Sequence, residues 1–204
     1  MLYRFIGGVV LMSGIFSAFG LSASAGLNAY IPLLIIAITA KVSTVTGWHL
    51  MSLSKPWDTL ESWWIIGLLV VLSAVEFFAD KIPAVNHIND AVQTFVRPAA
   101  GAVAFAASAN VVNDIHPVLS LAAGLLIAGT VHTAKAGAMR PAVTAVSAGT
   151  ATPVVSLVED VVSTLVSILA VVVPMVIGVL LFIFLLWFVV WLYRRPARQR
   201  RAAA

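Results

Sequence analysis

The sequence predicts an all-α, polytopic integral membrane protein with six to seven membrane-embedded helices, some of them short or broken. Three observations predict this fold: the composition, the length of the apolar runs and an internal repeat. Of the 204 residues, 61% are hydrophobic and 10% are charged, with a mean hydropathy of +1.05, whereas a soluble domain carries about 25% charged residues. The apolar runs are long enough to cross a hydrocarbon core of about 30 Å.

The first apolar run covers residues 5–40. As one helix it would extend about 54 Å, at about 1.5 Å per residue, which exceeds the thickness of the hydrocarbon core. We therefore expect the small residues from Gly20 to Gly26 to break the run into two shorter helices, with Asn28 and Pro32 directly after the break.

A polar connection, residues 42–62, separates this run from the next predicted membrane helix, Trp63–Phe78. Its tryptophans favour the membrane interface. The helix leads into the sequence VEFFADKIP, in which Glu76 and Asp80 are four residues apart and share a helix face. Pro83 is expected to stop this helix.

The last apolar run, Val166–Tyr193, contains Pro174 and Gly178, which predict a kink. Five arginines follow within the basic tail, residues 194–204. A basic cluster directly after a membrane helix predicts a cytoplasmic C-terminus, and it can also contact anionic lipid headgroups. The formal net charge of +4 comes from this tail. No nucleic-acid partner is expected, because the position beside a membrane helix already explains the cluster.

A fourteen-residue motif occurs twice, 70 residues apart. Pro83–Val96 reads PAVNHINDAVQTFV and Pro153–Val166 reads PVVSLVEDVVSTLV, with six of the fourteen positions identical and no gap. In each copy an aspartate, Asp90 or Asp160, lies on a stripe of polar residues at helical spacing. The stripes are Asn86, Asp90, Gln93 and Arg97 in the first copy, and Ser156, Asp160, Ser163 and Ser167 in the second. Because Pro, Asp and Thr all match in register, we interpret the motif as an internal duplication.

A weaker similarity extends the repeat into two halves of a single membrane domain, residues 1–204. Ala23–Pro32 and Ala134–Pro141 share an A-x-A-G core and a following proline, and each precedes one copy of the motif. The first half then covers about residues 5–113 and the second about residues 117–193. Short or Gly/Pro-interrupted segments at corresponding positions of two halves are typical of transporters with inverted repeats, so we expect an inverted duplication.

Nine charged side chains lie in or beside the predicted helices, where an ionised group needs a partner or a wet cavity. They are Glu76, Asp80, Lys81, Asp90, Arg97, Lys135, Arg140, Glu159 and Asp160. In the functional interpretation, Asp90 and Asp160 face each other across a pseudo-two-fold axis, with Asn28 nearby, and bind a proton or a cation. In the alternative interpretation, both aspartates are capping or interfacial residues near helix starts, where an acid interacts favourably with the helix dipole.

The basic residues allow two interpretations as well. Arg97 is available to pair with the acids of the first copy, whereas the carboxylates of the second copy need a partner from elsewhere, for which we expect Lys135 or Arg140. His132 and Lys135 share a helix face, and Lys135 and Arg140 could clamp a phosphate or carboxylate. Backbone N–H groups exposed by a helix break at Gly137 would lie beside them. Alternatively, both are interfacial cations that close a short helix. Lys81 is expected to extend to the interface.

Several kinds of chemistry find no support in the sequence. The chain contains no cysteine, which excludes disulfides, thiolate metal sites and cysteine nucleophiles. It also lacks histidines at metal-binding spacing, a nucleophile elbow, a phosphate-binding loop and a dinucleotide fingerprint. We therefore expect no metal, no cofactor and no enzymatic activity.

Five sequence motifs carry a resemblance to a known family. They are GLSASAGLNAYIP from Gly20, ExxxDKIP from Glu76, RPAAGA from Arg97, HxxKAGxxRP from His132 and PVVSLVED from Pro153. Together they resemble a family of small bacterial membrane proteins, the domain-of-unknown-function family 4126, over roughly residues 18–165. The resemblance implies a polytopic protein of the bacterial inner membrane and implies no substrate.

Three functions are compatible with these features. The first is a small transporter, or a protein that translocates lipids or anionic headgroups, with a central polar site between two halves, coupled to protons or cations and assembled as a homo-oligomer. The second is a non-transporting membrane scaffold, whose Ala- and Gly-rich faces bind partner helices. The third is an intramembrane enzyme acting on a lipid, which would need a carboxylate and a histidine within hydrogen-bond reach.

Overall fold

The computed structural model describes residues 2–47, 51–109, 115–147 and 150–201. Over these ranges the chain is helical and contains no strand, so the expected all-α class is confirmed. The α-helices of the described residues are α1 (Leu2–Leu27), α2 (Tyr30–Thr46), α3 (Trp63–Ala79), α4 (Pro83–Ala109), α5 (Pro117–Ala134), α6 (Arg140–Ser147) and α7 (Thr152–Arg201). A 3₁₀ helix spans Trp57–Glu61, and a π-helical segment, Lys135–Met139, joins α5 directly to α6.

Serine side chains hold α1 against α7. Ser24 Oγ lies 2.7 Å from Ser163 Oγ and 2.6 Å from Ser167 Oγ, and Ser17 Oγ donates to the carbonyl of Ala170 at 2.7 Å. Residue numbers fall along α7 as they rise along α1, so the two helices are antiparallel. The predicted polar stripe of the second copy therefore faces the interior, where Ser156, Ser163 and Ser167 are buried.

The other neighbours of α1 are α4 and α5. Ser22 Oγ donates to the Gly124 carbonyl at 2.9 Å, and the carbonyl of Leu27 accepts from Lys135 Nζ at 2.9 Å, so α1 and α5 are parallel. The packing of α4 and α5 is close enough that a Cβ on Gly124 would lie 2.6 Å from Phe105 Cβ. Small residues at such contacts allow helix backbones to approach closely.

The orientation of the helices contradicts the expected inversion. Along α4 and α5, Phe105 packs at Gly124 and Arg97 lies at His132, so these two helices are antiparallel. Since α1 is parallel to α5 and antiparallel to α7, the helices that carry the two motif copies, α4 and α7, run in the same direction. An inverted duplication would place them in opposite directions, so that part of the prediction is wrong.

The break in the first apolar run is displaced from its predicted position. Residues Gly20 to Gly26 are helical, and the helix ends only at Leu27. Asn28 makes the break, because its side-chain Oδ1 accepts from the N–H groups of Tyr30 and Ile31, both at 3.1 Å, and so caps α2. The small residues that predicted a break instead allow close packing, since a Cβ on Gly20 would lie 2.7 Å from Ala170 Cβ.

The connection between α2 and α3 is shorter than the predicted polar segment, because α2 continues to Thr46. Gly47 ends α2 in the left-handed region, with φ of 72°. At the other end, Ser62 caps α3 by accepting from the Ile65 N–H at 3.4 Å. The predicted helix over Trp63–Phe78 is present and ends one residue later.

The helix α7 contains 50 residues and continues through Pro174 and Gly178. At about 1.5 Å per residue it extends about 75 Å. Within the described ranges, two helical stretches are long and apolar enough to cross a membrane, Pro117–Ser147 and Thr152–Pro174. Three further apolar helices are shorter, Gly14–Leu27, Tyr30–Thr46 and Trp63–Ala79.

Beside its buried apolar core, the chain exposes many large apolar side chains and buries several charged ones. Trp64 is 89% exposed and Phe95 is 80% exposed, whereas Arg97 is 0% and Glu76 is 1% exposed. Charged residues are almost never fully buried in soluble domains unless they are paired. The fold therefore has an apolar exterior and a charged interior region.

Candidate functional site

All nine predicted charged residues meet in one region, together with His132. Six ion pairs join seven of them: Glu76, Asp80, Asp90, Arg97, Lys135, Arg140 and Glu159. The remaining pair, Lys81 with Asp160, lies beside these seven residues. Lys81 directly follows Asp80 in the sequence, and Asp160 directly follows Glu159. We call these ten residues the charge network. They come from the end of α3, the first half of α4, the α5–α6 stretch and the start of α7.

Arg97 forms the most deeply buried part of the charge network. Its Nε and Nη2 donate to Glu76 Oε1 at 3.2 and 3.0 Å, and Nη2 lies 3.4 Å from Asp80 Oδ2. Because arginine keeps its charge in proteins, this buried cation depends on the two carboxylates for compensation. Arg97 therefore pairs with the two acids at the end of α3, Glu76 and Asp80, and not with Asp90 of its own motif copy.

Arg140 connects three acids from three different helices. Its Nη2 lies 3.1 Å from Glu159 Oε2 on α7 and 3.4 Å from Asp80 Oδ2 after α3. Its Nη1 pairs with Asp90 Oδ2 on α4. The planar guanidinium presents donors in several directions at once, so one side chain can hold the ends of three helices together.

The π-helical segment places Lys135 in the interior, where it is 3% exposed. Its Nζ lies 2.7 Å from Glu159 Oε2 and 2.9 Å from the carbonyl oxygen of Leu27 at the end of α1. The predicted pairing of a second-copy carboxylate with Lys135 or Arg140 is thus present for Glu159, with both cations. The predicted helix break at Gly137 is absent, because this residue lies within the π-helical turn. Such turns are frequent at functional sites.

The junction of α1 and α2 contributes three consecutive residues to the site. The carbonyl of Leu27 accepts from Lys135, Asn28 Nδ2 donates to Asp160 Oδ1 at 3.0 Å, and the N–H of Ala29 donates to Glu76 Oε2 at 3.2 Å. A helix C-terminus favours a cation and an N-terminus favours an anion. The C-terminal end of α1, which carries a partial negative charge, therefore faces Lys135. The N-terminal end of α2, which carries a partial positive charge, faces Glu76.

Lys81 contributes to the site from the end of α3. Its Nζ pairs with Asp160 Oδ2 at 3.2 Å and donates to the Phe77 carbonyl at 3.0 Å. The ammonium also lies 3.1 Å from the centroid of the Phe77 ring. Asp160 thus obtains its cation from the end of α3, because Lys135 and Arg140 are engaged by Glu159.

His132 is buried beside Arg97. Its Nδ1 lies 3.3 Å from Arg97 Nη1, and its Nε2 lies 3.3 Å from Thr94 Oγ1. Both ring nitrogens are therefore occupied by groups other than carboxylates. The pair of a carboxylate and a histidine that a lipid-modifying enzyme would need is not formed at this histidine.

The two repeated aspartates are held by different cations. Asp90 pairs with Arg140, whereas Asp160 pairs with Lys81 and Asn28. Neither is a helix cap, because the first turns of α4 and α7 contain no acid and the dipole effect fades beyond the first turn. The interpretation of both residues as helix caps is therefore wrong, and both make ion pairs between helices instead.

Two carboxylates of the charge network have an oxygen that accepts no hydrogen bond from the residues that the structure describes. These buried atoms are Glu159 Oε1 and Asp90 Oδ1, and the neighbouring Gln93 Oε1 is a third. Five acids and four bases give the network a formal charge of −1 with His132 neutral. Over the described residues, no group of three or more acids or histidines could hold a metal ion.

Several polar partners in the site could not be identified from the charge pattern. Asn89 Nδ2 donates to Asp80 Oδ1 at 2.7 Å, and Ser156 Oγ lies 3.4 Å from Asp80 Oδ2. The Gln93 side chain hydrogen-bonds Tyr30. Gln93 and Ser156 belong to the predicted polar stripes, so the helical spacing could have identified them as site residues. Asn89 precedes Asp90 and lies off the stripe, so the spacing gave no indication of it. The side chain of Asn86, also on the first stripe, lies outside the described residues.

An open apolar groove of about 560 Å³ lies between α4 and the α5–α6 stretch. It is lined by Pro98 of α4 and by Leu125, Gly129, Thr133 and Gly137 of the α5–α6 stretch, among others. None of the charged residues lines it. The groove is therefore separate from the charge network.

The fold and the site together define an all-helical protein that exposes apolar residues and buries an ion-pair network. Residues 15–195 match the model of the family described as Domain of unknown function (DUF4126), and the chain belongs to this family. The expected membership is confirmed, and the match also includes most of α7. No curated protein and no solved structure matches the chain.

Proposed function

We propose that the protein is a multi-pass membrane protein of the bacterial inner membrane with a cytoplasmic C-terminus. The apolar exterior, the two membrane-length helices and the basic tail support this proposal. Asp160 and Arg194 are 34 residues apart on α7, about 51 Å at about 1.5 Å per residue. A cytoplasmic tail therefore places the charge network toward the opposite side of the membrane.

Within this membrane protein the charge network is the working site of a small transporter. The observation that carries the proposal is the convergence of nine charged residues from separate helices on one buried region. Ionised groups inside a membrane are costly, at about 3 kcal/mol or more each, and typically mark ion or substrate pathways. A broken helix whose ends face charged groups, as at Asn28, is also typical of transporter binding sites.

The charge balance favours coupling to a proton or cation over direct binding of an anionic headgroup. Each base of the charge network already contacts at least one carboxylate. An incoming phosphate would have to displace a carboxylate and raise the formal negative charge. A proton or a cation would neutralise the excess charge of −1, which lowers the cost of burial.

A parallel duplication is consistent with the same contacts. Asp90 of the first copy pairs with Arg140, which follows the A-x-A-G core of the second half. Asp160 of the second copy binds Asn28, which follows the A-x-A-G core of the first half. Each half therefore supplies a partner for the repeated aspartate of the other, and the site lies where the two halves meet.

A static membrane scaffold is the second candidate function. The apolar groove beside Gly129, Thr133 and Gly137 favours it, because small residues four apart on one face suit a closely packed partner helix, including one from a second copy. A scaffold with polar residues spread over both interfaces agrees less well with the convergence of the charges. In a scaffold the charge network stays closed and exchanges nothing with either side.

Reconstitution tests the transport function. The protein is placed in phosphatidylethanolamine–phosphatidylglycerol liposomes under an imposed proton gradient, and uptake of inorganic cations, organic cations, amino acids and a fluorescent anionic lipid is measured. We expect protein-dependent flux of at least one probe and a fall of at least about tenfold in the double variant Asp90→Asn/Asp160→Asn, equivalent to about 1.4 kcal/mol.

The matched control is Asp58→Asn/Glu61→Asn, which removes two acids from the connection between α2 and α3. It is expected to transport like the wild type. If flux in the Asp90→Asn/Asp160→Asn variant equals that of the wild type, the charge network does not serve transport and the proposal fails.

A further inference from the structure

The five carboxylates of the charge network are not equally satisfied. Both oxygens of Glu76, Asp80 and Asp160 accept hydrogen bonds. Glu159 and Asp90 each use one oxygen, and the other is buried without a partner among the described side chains. A buried acceptor left without a donor costs about 1–3 kcal/mol, so these two atoms are the places where the network lacks something.

The two incompletely satisfied acids share one cation and differ in depth. Arg140 pairs with both, through Nη1 to Asp90 and through Nη2 to Glu159. The Asp90 side chain is 25% exposed, whereas the Glu159 side chain is 3% exposed. Asp90 therefore lies at the rim of the charge network and Glu159 in its interior, with the guanidinium of Arg140 between them.

We propose that Glu159 is a buried proton-binding site and that Asp90 is the outer acid through which it exchanges protons with water, a role that rests on the transport function proposed above. The proton bonds to Glu159 Oε1, which accepts no hydrogen bond, so no existing bond is broken. Oε2 keeps its contacts with Lys135 and Arg140. The formal charge of the network changes from −1 to 0. On release the proton passes from Oε1 to a water molecule and from there to the open Oδ1 of Asp90 at the rim, because the Arg140 guanidinium has no acceptor atom and cannot carry it.

The surroundings of Glu159 favour a proton over a metal ion. Over the described residues, no three acids or histidines are placed to hold a metal ion, whereas a proton needs only one open carboxylate oxygen, such as Glu159 Oε1. The charged groups that face Glu159 are Lys135 of the π-helical segment and Arg140 of α6.

Further charges act on Glu159 through these two cations. They are Asp80 and Asp90, which share Arg140, and the adjacent Asp160 with its partner Lys81. When Glu159 becomes neutral, the Arg140 guanidinium is attracted more strongly to Asp90 and Asp80. Protonation therefore shifts the cation that connects α4, α6 and α7, which links proton binding to helix position.

Infrared difference spectroscopy tests this site directly on the purified full chain, without any transported substrate. Reconstituted protein is perfused alternately with buffers of high and low pH, and the carbonyl band of a neutral carboxyl group in a dry environment is recorded. We expect the band in the wild type and in Glu61→Gln, an acid at the protein surface. We expect it to be absent in Glu159→Gln and weaker or slower to appear in Asp90→Asn.

A conservative variant keeps the test decisive if Glu159→Gln does not fold. In Glu159→Asp the carboxyl group is retained at a new position, so the band should persist at a shifted frequency. An unchanged band in either Glu159 variant, or a wild type without such a band, overturns the proton site. Because no flux is measured, this result is independent of the liposome assay. A wild type that transports but shows no band refutes the proton site alone, and a wild type that shows the band but transports no probe refutes the transport function alone.

Discussion

Replacing Arg97 by methionine removes the most completely buried cation of the protein's charge network. Methionine is a flexible apolar side chain that can fill irregular space, so the loss of charge dominates the effect. Glu76, which is 1% exposed, loses both hydrogen bonds from the guanidinium, and Asp80 and His132 each lose one contact. The formal charge of the network changes from −1 to −2.

The expected cost follows from the burial of the partner. Removing one member of a buried ion pair costs about 3–5 kcal/mol, because the other charge stays buried without compensation. Exchanging both members for apolar residues is close to neutral or even stabilising. We therefore expect Arg97→Met to lose about 3–5 kcal/mol, and Glu76→Met/Arg97→Met, which restores the formal charge of −1, to regain at least half of that loss.

Thermal unfolding in detergent micelles, followed by far-ultraviolet circular dichroism, measures both effects. For a chain of this size about 1 kcal/mol corresponds to about 2–4 °C in Tm, so Arg97→Met should lower Tm by about 6–20 °C. Lys55→Met, at an exposed position in the connection between α2 and α3, is the control and should leave Tm unchanged. Equal Tm values for Arg97→Met and the wild type, or for the single and the double variant, would contradict the dependence of Glu76 on this cation.

Two further predictions concern helix packing and the helix break. Gly124→Ala should destabilise the fold by about 1–3 kcal/mol, because the new Cβ would lie 2.6 Å from Phe105 Cβ. Gly67→Ala meets nothing within 4 Å and should be neutral or slightly stabilising; equal Tm values for the two variants would contradict this packing. Asn28→Ala should lower the free energy of unfolding by about 2–4 kcal/mol, because it removes the cap of α2 and the donor to Asp160. A Tm within about 2 °C of the wild type would show that the helix break does not depend on this side chain.

The polar stripes show how much of the site could be predicted from the sequence. Ser156, Asp160, Ser163 and Ser167 recur at helical spacing among apolar residues, and all four are buried on the inner face of α7. In an apolar chain, the polar face of a helix must find polar partners, so spacing alone predicted which face turns inward. Charge balance likewise predicted internal pairing, although not which acid pairs with which base.

The displaced features depend on contacts between distant residues. The break at Asn28 could not be located from the small residues before it, because those residues pack α1 against α5 and α7. The partner of Lys81 could not be predicted from its sequence neighbours, because Asp160 lies 79 residues away. The direction of α7 relative to α4 depends on the number of crossings between them, which hydropathy does not determine when some segments are short.

Access to Ser156 tests the central claim, that the charge network is a working site exposed in turn to the two sides of a membrane. The chain has no cysteine, so Ser156→Cys introduces a single thiol beside Asp80, at a position that is 1% exposed. Ser108→Cys, equally buried in the second half of α4, is the matched control. In oriented vesicles, a membrane-impermeant maleimide is predicted to label Ser156→Cys from both sides, depending on pH, and Ser108→Cys from neither. Protection of Ser156→Cys from both sides under all conditions would contradict the account and favour a static scaffold.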